Sequence, residues 1–543
     1  MAMAGFSRES QWYQSLPHEE CTYTTTEVRI PMPDGVHLVA DLHEPSNLPP
    51  GTRPYGLILV LGCYGRTGIM GLLNAVMFAT RGYKVLFTSS RGTFGSEGTF
   101  VPGMSEADDS QAIVKWVRDQ PWYPGKFATF GASYLGYTQW ALLRNPPEDL
   151  AACIILAAPH DHAQHNWDNG VFRMDRIVWN YVLANQEDKT TQRPTNRTQL
   201  LGNAEKREEV MRAVPLFDAV ETYFNGKAPY MHQFMTTTDI DDPYWRPVRH
   251  SSAFDRVNVP ILLGSGWYDP FTYQTLEQYA RLKDRGCKVD ITIGPWTHVE
   301  ACGLHSMPEV FDFLDEHLAG RKKGQRPNPV KIFVTGVEEW RHIPAWPPAA
   351  KAITFYLHGD KSLGRDLPDT DPSPATFIYD PHNPTPTIGG PLLSGGGKAD
   401  DSAYTSRSDV LVYTTSPLAD DVEVLGNPVV HLTHSTDIPY ADLWIRLSEV
   451  DSNGVSRNIS EVYRGLDAER EDTISLKLQD CAHVFKKNTS IRVIVAGGSF
   501  PLMARNLGME GNRIMCKKMR QVTHTIRHEA GVSRLELPCV LKS

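Results

Sequence analysis

Residues 130–136 read Phe-Gly-Ala-Ser-Tyr-Leu-Gly, and this segment constrains the fold more than any other. A β-rich run at 126–130 leads into it, and a helical run at 138–144 follows. A serine on a sharp turn between a strand and a helix, with small neighbours, is typical of a nucleophile elbow. The usual pattern is G-x-S-x-G, whereas the second glycine here, Gly136, lies one residue later. An ordinary tight turn is therefore the alternative to a nucleophilic Ser133.

Continuous apolar strands alternate with helices on both sides of this turn. Strand-like runs occupy 55–61, 84–88, 127–130, 153–157, 260–264 and 289–293, and helical runs occupy 74–81, 106–119 and 308–318. Strands that are apolar throughout are buried on both faces, as in a parallel sheet covered by helices. An antiparallel hairpin at 24–42, with a Pro-Asp-Gly turn, precedes them. The pattern predicts an α/β domain.

The length of 543 residues exceeds that of one ordinary domain. Residues from about 160 to 252 are polar and helix-prone, and the sequence beyond 325 consists of short alternating strands. We therefore predict an α/β domain in two parts, an inserted helical cap and a C-terminal β-sandwich or jelly-roll domain. Their predicted bounds are 1–160 (α/β domain, first part), 161–252 (cap), 253–325 (α/β domain, second part) and 326–543 (C-terminal β domain).

Composition disfavours several classes of partner. The net charge is −9 and the pI is about 6.1, which argues against nucleic acid and anionic membranes as partners. No run of 18 apolar residues occurs, and the first 20 residues contain no apolar signal segment. The eight cysteines show no C-x-x-C spacing, as expected for reduced thiols in the cytoplasm. The expected partner is a small-molecule acyl substrate, and a homodimer is left open.

A nucleophilic serine needs a general base and a carboxylate that orients the base. Asp269 follows the predicted strand 260–264, and His298 follows the next strand, 289–293. In α/β-hydrolases the three residues come in the order Ser, Asp, His at strand ends. We predict Ser133, Asp269 and His298 as a catalytic triad. The competing acids Asp109, Asp161 and Glu300 fit surface, capping or supporting roles better.

An oxyanion hole requires hydrogen-bond donors near the nucleophile. The backbone N–H of Tyr134, the residue after Ser133, is the first candidate. The loop after the strand 55–61 contains the second, the hydroxyl of Tyr64. By sequence alone, Tyr64 is equally an ordinary loop tyrosine.

The triad segments resemble those of the cocaine esterase and X-Pro dipeptidyl-peptidase (CocE/NonD) family of α/β-hydrolases. The matching segments are Gly-Ala-Ser-Tyr-Leu-Gly-Tyr-Thr-Gln-Trp at 131–140, Gly-Trp-Tyr-Asp-Pro-Phe at 266–271 and Gly-Pro-Trp-Thr-His at 294–298. Further similar segments run from about residue 25 almost to the end. In this family the nucleophile elbow has the pattern G-x-S-Y-x-G, which accounts for the position of Gly136.

The resemblance implies an α/β-hydrolase domain with an inserted helical cap and a C-terminal β jelly-roll domain, in agreement with the bounds given above. It also implies a serine esterase or related hydrolase activity and no cofactor. It assigns the oxyanion hydroxyl to Tyr64. By alignment it also implies that Trp167, Phe172, Phe271 and Leu393 line the acyl pocket. Relatives that bind a substrate ammonium group carry acids, some of them close after the catalytic aspartate, whereas Pro-Phe-Thr-Tyr follows at 270–273 here. An uncharged or aromatic acyl group is therefore expected, and an X-Pro type peptidase is an alternative.

Three other functions remain open. An acyltransferase, a lactone-forming enzyme or a thioester-releasing enzyme would use the same triad with another acceptor. A metallohydrolase would use His160, His162 and His165, which have the spacing of an H-x-H-x-D-H motif but carry Gln164 in place of its aspartate. A binding protein with an inactive hydrolase domain is the third, against which the retention of all three triad residues argues.

Overall fold

The structure is a computed structural model. It describes residues 11–14, 16–187, 203–302, 305–321, 326–368, 373–466, 472–529 and 532–540. The chain divides into two compact units. The first comprises 1–163, 182–200 and 241–330, and the second comprises 164–181, 201–240 and 331–543.

The first unit is built on a sheet whose strands follow the order β1-β2-β4-β3-β5-β6-β7-β8. From β3 onward the pairs β3–β4, β3–β5, β5–β6, β6–β7 and β7–β8 are parallel, whereas β1–β2 and β2–β4 are antiparallel. The strands are β1 Thr22–Pro31, β2 His37–Ser46, β3 Leu57–Gly62, β4 Lys84–Ser89, β5 Phe127–Ala132, β6 Leu150–Leu156, β7 Ile261–Tyr268 and β8 Val289–Thr297.

Helices alternate with the parallel strands, as the sequence pattern predicts. In chain order the α-helices are α1 Gln11–Gln14, α2 Gly68–Gly71, α3 Met77–Ala79, α4 Glu106–Arg118, α5 Tyr134–Leu142, α6 His162–Asn166, α7 Asp175–Asn185, α8 Ala204–Met211, α9 Leu216–Phe224, α10 Met231–Thr236, α11 Thr272–Asp284, α12 His298–Ala301 and α13 Met307–Leu314. Short π-helical turns occupy Leu72–Val76 and Asp315–Ala319, and 3₁₀ turns occupy Asp168–Gly170, Pro243–Val248, Ser251–Asp255 and Ser402–Ser406.

The core of the first unit explains why its central strands are apolar throughout. Ile58 and Val60 of β3, Phe130 of β5 and Ile154 of β6 are buried in one cluster with Phe311 of α13. A strand covered on both faces exposes no side chain to water, so apolar residues replace the usual alternation.

The second unit is rich in antiparallel strands. Its described residues form a nine-stranded sheet and a four-stranded sheet in which the strands follow the order β14-β21-β17-β18. Strands β9 and β10 lie next to each other. The strands are β9 Val330–Val334, β10 Glu339–Ile343, β11 Lys351–Leu357, β12 Leu363–Gly364, β13 Ala375–Tyr379, β14 Val410–Thr414, β15 Val422–Gly426, β16 Val429–Thr436, β17 Asp442–Val450, β18 Ser456–Gly465, β19 Thr473–Lys477, β20 Cys481–Phe485, β21 Ser490–Ala496, β22 Val522–Arg527 and β23 Arg534–Cys539.

The core of this unit combines side chains from its two sheets. Leu432 of β16 and Ile526 of β22 come from the larger sheet, and Ile445 of β17 and Val493 of β21 come from the smaller one. Alternate burial along β22 follows from the period of two in a strand with one face on a core.

The predicted fold class, an α/β-hydrolase domain followed by a β-rich C-terminal domain, is confirmed. The domain bounds at 160, 252 and 325 stay predictions. Across the described residues, no helix combines the length and the apolar character needed to cross a membrane.

Candidate active site

Ser133 lies on the turn between β5 and α5. Its backbone adopts φ 55° and ψ −124°, a combination that L-residues rarely occupy and that costs on the order of 1–3 kcal/mol. The surrounding hydrogen bonds hold it there, since Ser133 N donates to Leu156 O and Ser133 O accepts from the N–H groups of Gly136 and Tyr137, each over 2.9 Å. The strained turn places Ser133 outside the helix that follows, at its N-terminal end.

Two glycines permit this turn. A Cβ on Gly131 would lie 2.4 Å from Leu135 O, and a Cβ on Gly136 would lie 2.5 Å from the Ala158 Cβ. Both distances are shorter than atoms can tolerate. Gly136, which lies one residue later than in the pattern G-x-S-x-G, is therefore the position at which α5 packs closely on the segment that follows β6.

Asp269 and His298 follow two neighbouring parallel strands. Tyr268, at the end of β7, pairs with Thr297, at the end of β8. The next residue of each strand is Asp269 and His298, so the register places the two side chains side by side. This is the edge of the sheet at which α/β proteins build their sites.

A continuous chain of hydrogen bonds joins the three residues. His298 Nε2 lies 3.0 Å from Ser133 Oγ, and His298 Nδ1 lies 3.0 Å from Asp269 Oδ1. An ionised carboxylate only accepts hydrogen bonds, so Nδ1 must donate to Asp269. In the neutral ring Nε2 is then the acceptor, and it can receive the proton of the serine hydroxyl.

Asp269 is held by further donors. Its Oδ2 accepts from Ser265 Oγ over 2.7 Å, and its Oδ1 also accepts from Phe271 N over 3.1 Å. The side chain is completely buried. These donors compensate the cost of a buried carboxylate and fix its orientation toward His298.

Cys302 is a second neighbour of the His298 ring. It lies one helical turn after His298, and its Sγ is 3.7 Å from Nε2. Burial disfavours a charge on the His298 ring, but Cys302 and Asp269 outweigh it and raise the pKa of His298 well above its usual value. The ring therefore holds a transferred proton readily.

Tyr134 is the first residue of α5 and directly follows Ser133. Its phenol donates to Glu106 Oε1 and accepts from Gly103 N over 2.9 Å. The side chains of Tyr134 and Glu106 are both buried. The backbone of Tyr134 is thus fixed next to Ser133.

The loop after β3 carries Tyr64, whose ring lies edge-on to Tyr134 with 6.4 Å between centroids. Contacts on either side of Tyr64 hold this loop. Gln186 Nε2 donates to Cys63 O over 2.7 Å, and Arg66 donates to Phe94 O over 3.0 Å. The fold thus places the Tyr64 ring beside the Tyr134 ring, and the oxyanion role of both residues stays a prediction.

Comparisons with known proteins identify the family of the chain. Residues 34–300 match the model of the X-Pro dipeptidyl-peptidase (S15 family), and residues 322–536 match the model of the X-Pro dipeptidyl-peptidase C-terminal non-catalytic domain. The cocaine esterase of Rhodococcus sp. (strain MB1 Bresler) is 27% identical over 540 residues, covering 90% of this chain and 92% of the relative. The chain belongs to the CocE/NonD and X-Pro dipeptidyl-peptidase family.

Solved structures share the fold. An α-amino acid ester hydrolase superposes with a TM-score of 0.81 at 22% identity, covering 97% of this chain and 98% of the other. An aminopeptidase from a marine sediment archaeon (Thaumarchaeota archaeon) also gives 0.81, at 21% identity and with 100% of both chains covered. Membership of this family makes the protein a serine hydrolase.

The four residues predicted to line the acyl pocket lie in different surroundings. Phe271 is buried with its ring 5.2 Å from that of His298, in an edge-to-face arrangement. Trp167 and Phe172 pack against each other at 5.3 Å, and the Trp167 indole donates to Phe234 O. Leu393 is half-buried. Phe271 is in direct contact with the predicted triad, and the binding role of all four stays a prediction.

The competing acids have other partners. Asp109 forms a bidentate ion pair with Arg91. Asp161 forms an ion pair with Arg249 at 2.9 Å. Glu300 accepts from the N–H and the hydroxyl of Thr297 in a capping box at the start of α12. These contacts agree with the supporting and capping roles expected for them.

The histidines of the alternative metal motif each have a neighbour of their own. His160 Nε2 lies 3.8 Å from Glu277, the His162 ring packs 4.1 Å from that of Tyr137, and His165 Nε2 lies 3.6 Å from Asp175. Among the residues that the structure describes, no group of three or more His, Cys, Asp or Glu side chains could hold a metal ion. The metallohydrolase alternative therefore gains no support from this geometry.

Sequence reasoning missed four residues around the site: Glu106, Gln186, Ser265 and Cys302. The spacing of Cys302, four residues after His298, would have indicated a contact had a helix been predicted there. Ser265 stands in the same strand-end segment as Asp269 and could have been included. Glu106 and Gln186 are distant in sequence from the residues they contact, and no local sequence pattern predicts these contacts.

Proposed function

We propose that the protein hydrolyses a carboxylic ester through an acyl-enzyme, with Ser133 as nucleophile, His298 as general base and Asp269 as its orienting carboxylate. The observation that carries the proposal is the chain of hydrogen bonds from Ser133 Oγ through His298 to Asp269, at 3.0 Å for each link. The activity of the named relatives, cocaine esterase and α-amino acid ester hydrolase, supports an ester as the substrate class.

The reaction proceeds in two halves. Ser133 Oγ attacks the ester carbonyl while His298 Nε2 accepts its proton, and the Tyr134 N–H and Tyr64 hydroxyl stabilise the oxyanion. His298 then donates the proton to the departing alcohol, which leaves Ser133 acylated. A water molecule, activated by the same imidazole, releases the acid and restores the serine.

The substrate is proposed to be a small ester with an uncharged or aromatic acyl group. Phe271 follows Asp269 closely and lies edge-on to His298, in the stretch of sequence where some relatives carry an acid that binds a substrate ammonium group. We also propose that the enzyme acts in the cytoplasm, as the spacing of its cysteines predicts. Transfer of the acyl group to an alcohol, an amine or an internal nucleophile is the alternative outcome of the second half.

Peptide cleavage after an X-Pro sequence is a second candidate. Both family models that match the chain are named for X-Pro dipeptidyl-peptidases, and one similar structure is an aminopeptidase. Parallel assays with p-nitrophenyl butyrate and alanyl-prolyl-p-nitroanilide distinguish the two. Faster turnover of the anilide than of the ester would favour the peptidase.

The test of the mechanism is covalent labelling of Ser133. A fluorophosphonate probe should label the wild-type protein at Ser133 and fail to label Ser133→Ala, which should also lose turnover of p-nitrophenyl butyrate. Ser110→Ala is the control, because the Ser110 hydroxyl donates to Ala107 O within its own helix, α4. Labelling at another residue, or unchanged turnover in Ser133→Ala, would contradict the assignment.

A further inference from the structure

A buried carboxylate lies one side chain away from the residue that follows the nucleophile. Glu106 Oε1 accepts a hydrogen bond from the Tyr134 phenol, and Glu106 Oε2 accepts from Ser105 N over 3.2 Å. Glu106 is 1% exposed and Tyr134 is 2% exposed. Both side chains are therefore shielded from bulk water, and the Tyr134 phenol supplies the hydrogen bond to Glu106 Oε1.

Burial of this carboxylate is costly for the fold. An ionised carboxyl group taken out of water loses several kcal/mol of solvation free energy unless donors replace it. Burial raises the pKa of Glu106 to about 7, in spite of the hydrogen bond from Tyr134. An apolar residue at the start of α4 would avoid this cost. Local departures of this kind occur where a site requires a particular group.

The surroundings of Tyr134 restrict its ring as well. The rings of Phe100, Tyr137 and His162 lie at 6.1, 5.5 and 6.0 Å from that of Tyr134. At the phenol end, Gly103 N donates and Glu106 accepts. The aromatic contacts confine the ring, and the two polar contacts fix the position of its hydroxyl.

Fixing the phenol fixes the backbone at the other end of the side chain. A tyrosine side chain has only two rotatable bonds between the Cα and the ring, so an anchored hydroxyl leaves the Cα of Tyr134 little freedom. The N–H of Tyr134 shares that restriction because it adjoins the strained turn of Ser133. Oxyanion donors are effective only when they point at the oxyanion before it forms.

We infer that Glu106 is a positioning residue for the reaction: by holding the Tyr134 phenol, it aims the Tyr134 backbone N–H at the carbonyl oxygen of the substrate. The inference rests on the proposed function, in which that N–H is an oxyanion donor. Glu106 itself does not touch the reacting atoms.

The test uses three variants of the full-length protein and hydrolysis of p-nitrophenyl butyrate. Glu106→Leu removes the acceptor, Tyr134→Phe removes the phenol hydroxyl, and the double variant removes both. Loss of an oxyanion donor costs on the order of 10²-fold in rate, so a misaligned donor should cost about ten-fold. We expect each single variant to lose about that factor in kcat with KM unchanged, and the double variant to lose no more.

Glu106→Gln and Tyr83→Phe complete the design. The glutamine retains an oxygen that can accept from Tyr134, so it should recover most of the kcat lost in Glu106→Leu. Tyr83 donates to Asp315 Oδ1 in another buried tyrosine–carboxylate pair of the same unit. Tyr83→Phe should lower the melting temperature and leave kcat unchanged, which separates positioning from general stability.

Several results would overturn the inference. These are a kcat within two-fold of wild type in a folded Tyr134→Phe variant, additive losses in the double variant, or an equal loss in Tyr83→Phe. Failure of the proposed function looks different, because the wild-type protein would then not be labelled at Ser133 by a fluorophosphonate. Should Glu106→Leu not fold, Tyr134→Phe alone still decides the question, and Glu106→Gln should then keep nearly the kcat of wild type.

Discussion

At the scale of single residues, one ring nitrogen of His298, the proposed general base, lies near two other side chains. His298 Nε2 faces Ser133 Oγ at 3.0 Å and Cys302 Sγ at 3.7 Å. Among the interactions that raise the pKa of His298, the electrostatic one with Cys302 contributes most, ahead of those with Asp269. Cys302 therefore affects the protonation of the base without belonging to the hydrogen-bonded chain from Ser133 to Asp269.

Replacing Cys302 should shift the pH dependence of the reaction. Burial lowers the pKa of His298, whereas Cys302 and Asp269 raise it, so Cys302→Ala should lower that pKa. The base must be neutral to accept the serine proton, and activity is lost as pH falls through its pKa. We expect the acidic limb of kcat/KM to move to lower pH in Cys302→Ala.

Cys287→Ala provides the matched control for this shift. Cys287 is also partly buried in the first unit, and its thiol donates to Val257 O. Its removal should leave the pH profile in place. An unmoved acidic limb in Cys302→Ala, or an equal shift in both variants, would show that Cys302 does not act on His298.

At the scale of elements, the loop after β3 depends on a contact from a distant segment. Gln186 follows α7 directly and donates to the carbonyl of Cys63, the residue before Tyr64. Glu187 accepts from Phe94 N over 2.8 Å, and Phe94 O accepts from Arg66 of the same loop. The segment after α7 thus fixes the loop from two directions.

Removing the Gln186 amide should loosen the loop that carries Tyr64. One hydrogen bond of this type contributes about 1 kcal/mol, so Gln186→Ala should lower kcat by about three- to ten-fold, below the loss of a complete oxyanion donor. Steady-state hydrolysis of p-nitrophenyl butyrate measures the effect. The physical reason is a wider distribution of Tyr64 positions, which weakens stabilisation of the oxyanion.

Gln111 offers the matched comparison. Its side-chain amide donates to Leu142 O and Asn145 O, and these carbonyls lie at and beyond the end of α5 that is remote from Ser133. Gln111→Ala should lower stability by a similar amount and leave kcat unchanged. If both variants lose kcat equally, the effect of Gln186 is one of general stability.

The elements themselves could be predicted because their signals are local. The predicted strand 84–88 is observed as Lys84–Ser89, and the predicted helix 106–119 as Glu106–Arg118. The predicted strand 289–293 extends to Thr297, because pairing with β7 continues through a glycine and a proline that a sequence pattern reads as loop. Pairing of Thr297 with Tyr268 places His298 next to Asp269. The residue pattern of β8 alone does not predict this position.

The supporting contacts could not be predicted, because they join residues far apart in the sequence. Gln186 meets Cys63 across 123 positions, and Tyr134 meets Glu106 across 28. A glutamine after a helix and a glutamate at a helix start are ordinary in themselves. Only the folded chain reveals which carbonyl and which phenol they bind.

At the scale of the whole molecule, buried histidines make stability depend on pH. Burial lowers the pKa of histidines in both units: His43, His160, His250, His317, His431, His483 and His528. For His160 the pKa falls to about 3. His298, whose pKa is raised, acts in the opposite direction.

The sign of the effect follows from proton binding. An unfolded chain binds a proton at each histidine below a pH of about 6.5, whereas the folded chain keeps a ring of lowered pKa neutral. The stability that such a ring contributes is complete above that pH, and it is lost as the pH falls toward the pKa of the folded state. For His160 this window runs from about 6.5 to about 3.

His250 is the sharpest place to test this dependence. Its ring is completely buried, packs 4.8 Å from Tyr137, and burial lowers its pKa well below the usual value. When the pH falls from 7.5 to 5.5, a histidine that stays neutral in the folded state should lower the free energy of unfolding by about 1.4 kcal/mol. His250→Phe should therefore lose less free energy of unfolding over this interval than wild type, by about that amount, in urea titrations. Equal losses in wild type and His250→Phe would mean that His250 takes up no proton on unfolding.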